Sequence, residues 1–370
     1  MTSHFIRCSA LLFVWASTFQ TLQAQNVLTV CGLESTPAQH HDLQAALDAA
    51  EAGDIVHVLP SPVALGDATL DKSLTILGTG HTHDATNGGL SRIGTLTLNN
   101  VSDVLIEGLT LNQVEMANET YAHHVTVRRN RFDGNGRFVN TAAGSFTPGS
   151  TDWLIEGNVF TPLISPNSTP ILGFTENDTA VVIRNNYMDC YWPYQRVIHG
   201  SPADVTISHN VVYLRYGQPI ASYVNQSPML FHSNIFYYKE GSLPSDIAAN
   251  CPECSFTNNL FYAEGGGILT DPADDPSSNI MNVDPGFEDY NEIEGVLVWS
   301  YDADLHLSSG SPAVGAGLNG QDMGLHGNLF DFNMEGKPTG LPVFTSFSKA
   351  YDIVPLGTPL EIEVTTETAE

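Results

Sequence analysis

Three side chains suited to handling an acidic molecule, Arg137, Arg196 and His199, lie in the segments RFVN (137–140) and YWPYQRVIHG (191–200). A guanidinium holds a carboxylate through paired, charge-assisted hydrogen bonds, and an imidazole near neutrality can take up a proton. Tyr191, Trp192 and Tyr194 precede the second arginine. Aromatic rings beside cations can stack on sugar faces while the cations hold carboxylates. Asn140 closes the first segment as His199 nears the end of the second. These types together suit a carboxylate-bearing sugar, with Arg137, Arg196 and His199 as candidate catalytic groups and Asn140, Tyr191, Trp192 and Tyr194 as candidate substrate contacts. Removing the proton beside a uronate carboxylate needs a base, and a cation or donors to neutralise the charge that develops. The alternative is that the aromatics cover loop surface and the arginines meet some of the chain's many carboxylates.

The two segments are distant in sequence, so a repeating element must bring them together. VTVRRNRF, WLIEGNVF, VVIRNNYM, VTISHNVV, MLFHSNIF and CSFTNNLF align Asn130, Asn158, Asn186, Asn210, Asn234 and Asn259 in one column, at steps of 28, 28, 24, 24 and 25 residues. VLIEGLTL, with Leu109 in that column, is an earlier member. Such a period marks a solenoid. Three positions before the column stand Ile106, Val127, Ile155, Ile183, Ile207, Phe231 and Phe256; two after it stand Leu111, Phe132, Phe160, Met188, Val212, Phe236 and Phe261. All are apolar, so both columns face a core. Alternation on each side of a short polar break reads as two strands meeting at a bend. A third short strand fits at FVN (138–140), ILG (171–173), VIH (197–199), PIA (219–221), DIA (246–248) and GIL (267–269).

Three strands per turn, stacked about 4.8 Å apart, predict an all-β chain folded as a right-handed parallel β-helix. Asparagine suits the bend because it tolerates the left-handed backbone region and because its amide can bond to the amide of the next coil. The same stacking places Arg137 and Arg196 two coils apart on the third-strand face, about 10 Å from each other, with Thr169 and Thr175 in the coil between. On the first strand Glu107, Arg128, Glu156 and Arg184 form an alternating charge ladder, expected at the surface, where each pair contributes about 0 to 1 kcal/mol. Tyr213, Tyr237 and Tyr262 repeat at one position and are expected to stabilise by stacking.

The ends read differently. Residues 1–24, with Arg7, the run ALLFVWA and Ala24 before Gln25, resemble a secretory leader, so the chain is expected outside the cytoplasm, secreted or periplasmic. Residues 25–60 are assigned a strand and a capping helix, since Leu43, Ala46, Leu47 and Ala50 fall at helical spacing with Gly53 just beyond. Residues 61–327 are assigned to the solenoid and 328–370 to an extension in which PLEIEVTTE forms an outer strand. No further apolar run is long enough to span a membrane. With 41 acidic and 13 basic residues the net charge is −28, which repels nucleic acid. A monomer that meets a polysaccharide or cell-surface glycan is the expected behaviour. Cys254 falls in the inward column of Trp153, Val181, Val205 and Met229, so a buried thiol is expected, with a Cys251–Cys254 bridge or a metal half-site as alternatives.

The capping helix, GDIVHVLP followed by KSLTILGTG, and the V-x-I-x-x-N coils resemble the pectate-lyase-like superfamily of parallel β-helices over residues 40–330. DPGFEDY (284–290), DLHLSSGSPAVGAG (304–317) and DMGLHG (322–327) resemble the closing segment of many secreted bacterial β-helix proteins, and are expected as turns around a final coil. The resemblance implies polysaccharide lyase chemistry with an arginine or lysine base, often with calcium. It also implies that hydrolase members carry paired acids, and here only Asp274 and Asp275 are adjacent within DPADDPSS. None of Lys72, Lys239, Lys337 and Lys349 falls on a repeat strand, which leaves arginine and histidine. A non-catalytic glycan-binding, adhesive or structural β-helix protein is the alternative.

Overall fold

The computed structural model describes residues 25–82, 89–134, 137–141, 148–161, 170–191, 195–222, 228–239, 241, 243–249, 251–273, 278–290 and 299–339, and the backbone of Pro342–Lys349 and Ile362–Thr368. Residues 1–24, where a leader is expected, lie outside the described residues, as do Thr169, Trp192, Tyr194, Asp274 and Asp275. The chain is a right-handed parallel β-helix of about 8 turns. A ten-stranded sheet runs from Val27–Val30 to Ser255–Thr257, all neighbours parallel. A second sheet of fourteen strands lies across the core from it.

The second sheet forks. The strand Thr110–Met116 pairs through Thr110 and Leu111 with Arg131 and Phe132, and through Val114 and Glu115 with Val139 and Asn140. Up to that strand one long strand serves each coil; from Arg131 onward the coil breaks it in two, and a separate third strand appears. The observed third strands are two residues long, Val139–Asn140, Leu172–Gly173, Ile198–His199 and Ala221–Ser222. The expected third strands at 246–248 and 267–269 do not form: the first is a turn and the second has no regular structure. Gly265 and Gly266 precede the latter segment and Gly267 opens it, and glycine weakens a strand by its backbone freedom.

Both expected apolar columns face inward, in register from coil to coil and almost fully buried. Their rings stack, with Phe132 over Phe160 at 4.8 Å, Phe231 over Phe256 at 4.5 Å and Phe236 over Phe261 at 4.9 Å. Each buried aromatic side chain contributes about 1.5 to 3 kcal/mol by leaving water, so the core is the main stabilising feature. The helix Leu43–Ala49 closes its first end: Asp42 accepts from Ala45 N at 2.8 Å as the N-cap, and Leu43, Ala46 and Leu47 are buried in the core. Lys72 Nζ donates to the carbonyls of Leu47, Asp48 and Ala50 at 2.8 to 3.0 Å, a cation on the negative end of the helix.

The asparagine ladder forms as expected in its bonding but not in its backbone. Asn158 Oδ1 accepts from Asn130 N at 3.0 Å and Asn130 Nδ2 at 3.2 Å, and the pattern continues through Asn186, Asn210, Asn234 and Asn259. It starts at Leu109, whose amide donates to Asn130 Oδ1, and ends one rung later than the repeats show, at Asn279. The left-handed backbone belongs instead to the residue before each rung: Gly108, Arg129, Gly157, Asn185, His209, Ser233 and Asn258 all have φ between 53° and 74°. Turning the chain one residue earlier leaves the asparagine extended, so that its amide lies along the stack.

The closing segment is not a set of turns around a final coil. The last solenoid strand is Ile280–Met281, after which the chain turns back along the outside of the helix. The short antiparallel pair Phe287–Asp289 and Asp304–Leu307 begins this strap. Phe287, Leu305, Ala313, Met323, Leu325 and Phe332 then cover Val159, Tyr187, Val211, Tyr213, Ile235, Tyr237 and Leu260 in a second apolar cluster outside the solenoid. The Tyr213, Tyr237 and Tyr262 column lies there, packed at 5.6 and 5.0 Å. The strap reaches the early coils, where His81 N donates to Glu335 O at 2.7 Å and Pro338 covers Gly108. The strand expected in PLEIEVTTE is Ile362–Thr368, and it pairs antiparallel with Pro342–Lys349 rather than with a coil.

Two further expectations change. Cys251 and Cys254 are bridged, so Cys254 is not a thiol; among the described residues Cys31 and Cys190 are free and buried. The charge ladder is not exposed: the side chains of Glu107 and Glu156 are 2% and 4% accessible. Glu107 meets Arg128 at 2.9 Å and Arg129 at 3.2 Å, and Glu156 meets Arg184 at 2.7 Å. Among the described residues no helix is long and apolar enough to cross a membrane.

Candidate functional site

Stacking of the third strands sets one outward column by register: Glu115 beside Asn140, Asn140 beside Gly173, Gly173 beside His199. Arg137, two residues before Val139, folds back over this column and donates from Nη1 to Asn140 Oδ1 at 3.2 Å. It can do so because position 173 has no side chain. A Cβ there would stand 2.9 Å from Arg137 Cδ, 3.2 Å from its Nη1 and 2.9 Å from Asn140 Oδ1. Gly173 therefore makes a notch in the face, filled by the guanidinium, with Asn140 on one side and His199 one coil beyond.

The next bend fixes this geometry from below. Buried Asp178 accepts from Thr141 Oγ1 and, at 2.7 Å each, from the amides of Ser150 and Thr175. One carboxylate thereby ties together the exits of two consecutive third strands, and charge-assisted bonds of this kind are the stronger ones. The bends around the third strand also absorb the differences in coil length, since the bend between Asn130 and Arg131 and its equivalents stay one residue step long.

Electrostatics favour a neutral base beside a fixed cation. Burial, and then the positive charge of Arg137, lower the His199 pKa below the usual imidazole value. The guanidinium of Arg137, partly buried, is itself lowered by desolvation, yet arginine stays charged at any physiological pH. Glu115 is next along the column, accepting from Gln113 Nε2 at 2.9 Å, and its charge would direct an incoming carboxylate away from that end and toward Arg137.

The other described candidates have partners of their own. Arg196 precedes its strand as Arg137 does, but its Nη1 donates to Gln195 O at 3.1 Å and its Nε is buried without a hydrogen-bond partner. Burial lowers its pKa, with Cys190 and Tyr238, both fully buried, as the opposing influences. Tyr191 lies under Arg215, 4.3 Å from guanidinium to ring, and Arg215 binds buried Asp189 through Nε at 2.8 Å. Thr175 supplies its backbone amide to Asp178 rather than a hydroxyl to the face. So the structure joins Arg137 to Asn140 with His199 in the same column, engages Arg196 with the Gln195 carbonyl and stacks Tyr191 against Arg215. Gly173 was missed by residue chemistry; its signal is a glycine inside a strand column, which marks close approach.

No family model matches the chain, and no curated protein matches it. The likeness to pectate-lyase-like proteins therefore rests on the coil pattern. Calcium, which that likeness implies, takes six to eight oxygen ligands, roughly. Among the described residues no group of three or more His, Cys, Asp or Glu side chains is placed to hold a metal ion. The described part of this face does not fit a calcium site, and no step is routed through one.

Proposed function

We propose that the protein binds a uronate-containing polysaccharide along the third-strand face and cleaves it by β-elimination. The observation that carries this reading is the approach of Arg137 to His199 across the Gly173 notch, which pairs a permanent cation with an imidazole held neutral. Arg137 neutralises the uronate carboxylate, which makes the adjacent C–H more acidic. His199 takes that proton; its electron pair forms the ring double bond as the glycosidic C–O bond breaks, and the leaving oxygen is protonated by solvent or by the imidazolium. Asn140 positions Arg137 through their hydrogen bond. Export from the cytoplasm, which the leader-like sequence suggests, suits such a substrate.

A second reading, binding without cleavage, is favoured by the diversion of Arg196, which leaves Arg137 as the cation over the notch. One experiment separates the two. The intact protein is incubated with alginate, pectate and chondroitin, with and without calcium, while ultraviolet absorbance of unsaturated product and binding are followed. Elimination predicts a rise that His199→Ala abolishes with affinity largely kept, and that Arg137→Ala abolishes with weakened binding. Binding with no rise in the wild type leaves the binding reading. Neither binding nor cleavage of any of the three rejects both.

A further inference from the structure

A second notch of similar construction lies on the first sheet, where Arg184, Ser208 and His232 occupy one outward column on three successive coils. The small Ser208 separates the two larger side chains, which stand about 10 Å apart at their backbones. The strap forms the opposite wall, with Asn328, Leu329 and Phe330 facing the column across a groove of about 540 Å³.

The donors of this groove are oriented. Arg184 engages Glu156 through Nε at 2.8 Å and Nη2 at 2.7 Å, which leaves Nη1 as the donor for a second acceptor. His232 Nδ1 is 3.2 Å from Ser233 Oγ, and that hydroxyl oxygen accepts from Leu318 N at 2.9 Å. One proton is shared between Ser233 Oγ and Nδ1, and in the tautomer where the hydroxyl donates it, neutral His232 carries its own proton on Nε2 and can donate it into the groove. Beneath them His209, only 3% exposed, lines the groove with neither ring nitrogen in a well-formed hydrogen bond, although Gln321 approaches it. Buried polar atoms in this state point to a missing partner. On the far rim Leu329 is fully exposed beside the Phe330 ring, an apolar edge next to the arginine and imidazole.

We infer that this groove binds the acidic group of a saccharide, a carboxylate or a sulfate ester, between Arg184 and His232 above Ser208, with the sugar's apolar face against Leu329 and Phe330. An anion there receives charge-assisted bonds from the arginine and a bond from the imidazole. Neutral sugars have nothing to place between the two. The groove uses residues separate from the third-strand face and requires no cleavage, so it stands whether or not the elimination reading does.

The test uses the full chain carrying Arg137→Ala, which removes the cation of the third-strand face. Calorimetric titration with a uronate tetrasaccharide, a sulfated tetrasaccharide of neutral sugars and an unmodified neutral tetrasaccharide identifies the acidic group, since each probe carries one chemistry. Either acidic probe is expected to bind in this background, and adding His232→Ala should weaken it at least tenfold, or about 1.4 kcal/mol. Ser208→Leu, which fills the floor without touching a charge, should do the same, and unchanged melting temperatures show that the variants fold. Absence of acidic-probe binding in the Arg137→Ala chain, equal binding of the neutral probe, or binding that folded His232→Ala and Ser208→Leu chains both retain would each overturn the inference.

Discussion

Replacing Asn186 by leucine tests the ladder where it is continuous on both sides. The Asn186 amide makes five bonds: Oδ1 accepts from Asn158 N at 2.9 Å and Asn158 Nδ2 at 3.0 Å, while Nδ2 donates to Ile155 O and Arg184 O at 2.9 Å and to Asn210 Oδ1 at 3.0 Å. Most partners have a substitute. Asn158 Nδ2 keeps Val127 O and Glu156 O, and Asn210 Oδ1 keeps the amide of residue 186. The group left with nothing is the buried Asn158 backbone N–H, at about 1 to 3 kcal/mol. Adding a smaller loss at the two carbonyls gives about 2 to 4 kcal/mol in all.

Urea unfolding followed by tryptophan fluorescence and far-ultraviolet circular dichroism measures this. Leu154→Thr, on the outward side of the same sheet, is the control and should shift stability by about 0.5 kcal/mol or less. Asn186→Asp refines the reasoning, because it restores the acceptor for Asn158 N–H but turns a carboxylate oxygen toward two carbonyls. Burial without a cation raises that carboxyl's pKa, so its deficit relative to wild type should shrink as pH falls. If Asn186→Leu proved no more damaging than Leu154→Thr, the bonds would not be what sets the bend.

Arg184→Ala should cost more than a surface pair, about 1 to 3 kcal/mol, because it strands the buried Glu156 carboxylate; adding Glu156→Gln should recover part of that loss in a double-mutant cycle. Burial, then the charges of His232 and Arg184, hold His209 to about 4. Its depressed folded pKa contributes stability that is complete above pH 6.5 and lost as the pH falls toward about 4. The His209→Asn chain, which keeps the left-handed backbone, should show a flatter stability profile across that window, and an unchanged slope would remove His209 from the acid response. Deleting residues 25–53 should give an aggregating product, since it uncovers the strand Ile55–Val58 and the core beneath the helix; a monomer by light scattering would contradict the capping role.

The solenoid was legible because its signals are redundant. Six aligned asparagines and two apolar columns state the same period, and a one-residue slip would expose an entire column. The third strands were legible only in part, since two-residue strands carry almost no pattern and glycine-rich segments at 265–267 mimic them. Of the candidate site, register alone predicted the placement of Arg137, Asn140 and His199. The partner taken by a long side chain depends on what surrounds it, and the bond of Arg196 to the Gln195 carbonyl has no signature in sequence.

The strap explains why the left-handed column escaped notice. Its members, Gly108, Arg129, Gly157, Asn185, His209, Ser233 and Asn258, share a backbone state but no side-chain chemistry, because each answers a different part of the strap. Asn258 donates to Ala316 O at 3.1 Å, Ser233 accepts from Leu318 N at 2.9 Å, and Asn185 donates to Leu325 O at 2.7 Å. Gly157 makes room for the Phe330 ring, Arg129 reaches Asp331 O at 3.1 Å, and Gly108 admits Pro338. A repeat is visible when every coil meets the same neighbour, as the asparagines do. Where a regular surface meets an irregular segment, the constraint shifts from residue type to complementarity, and one position of the repeat must vary along its whole length. The same contact walls the groove over Ser208, so the strap that hides this column also forms one side of the groove between Arg184 and His232.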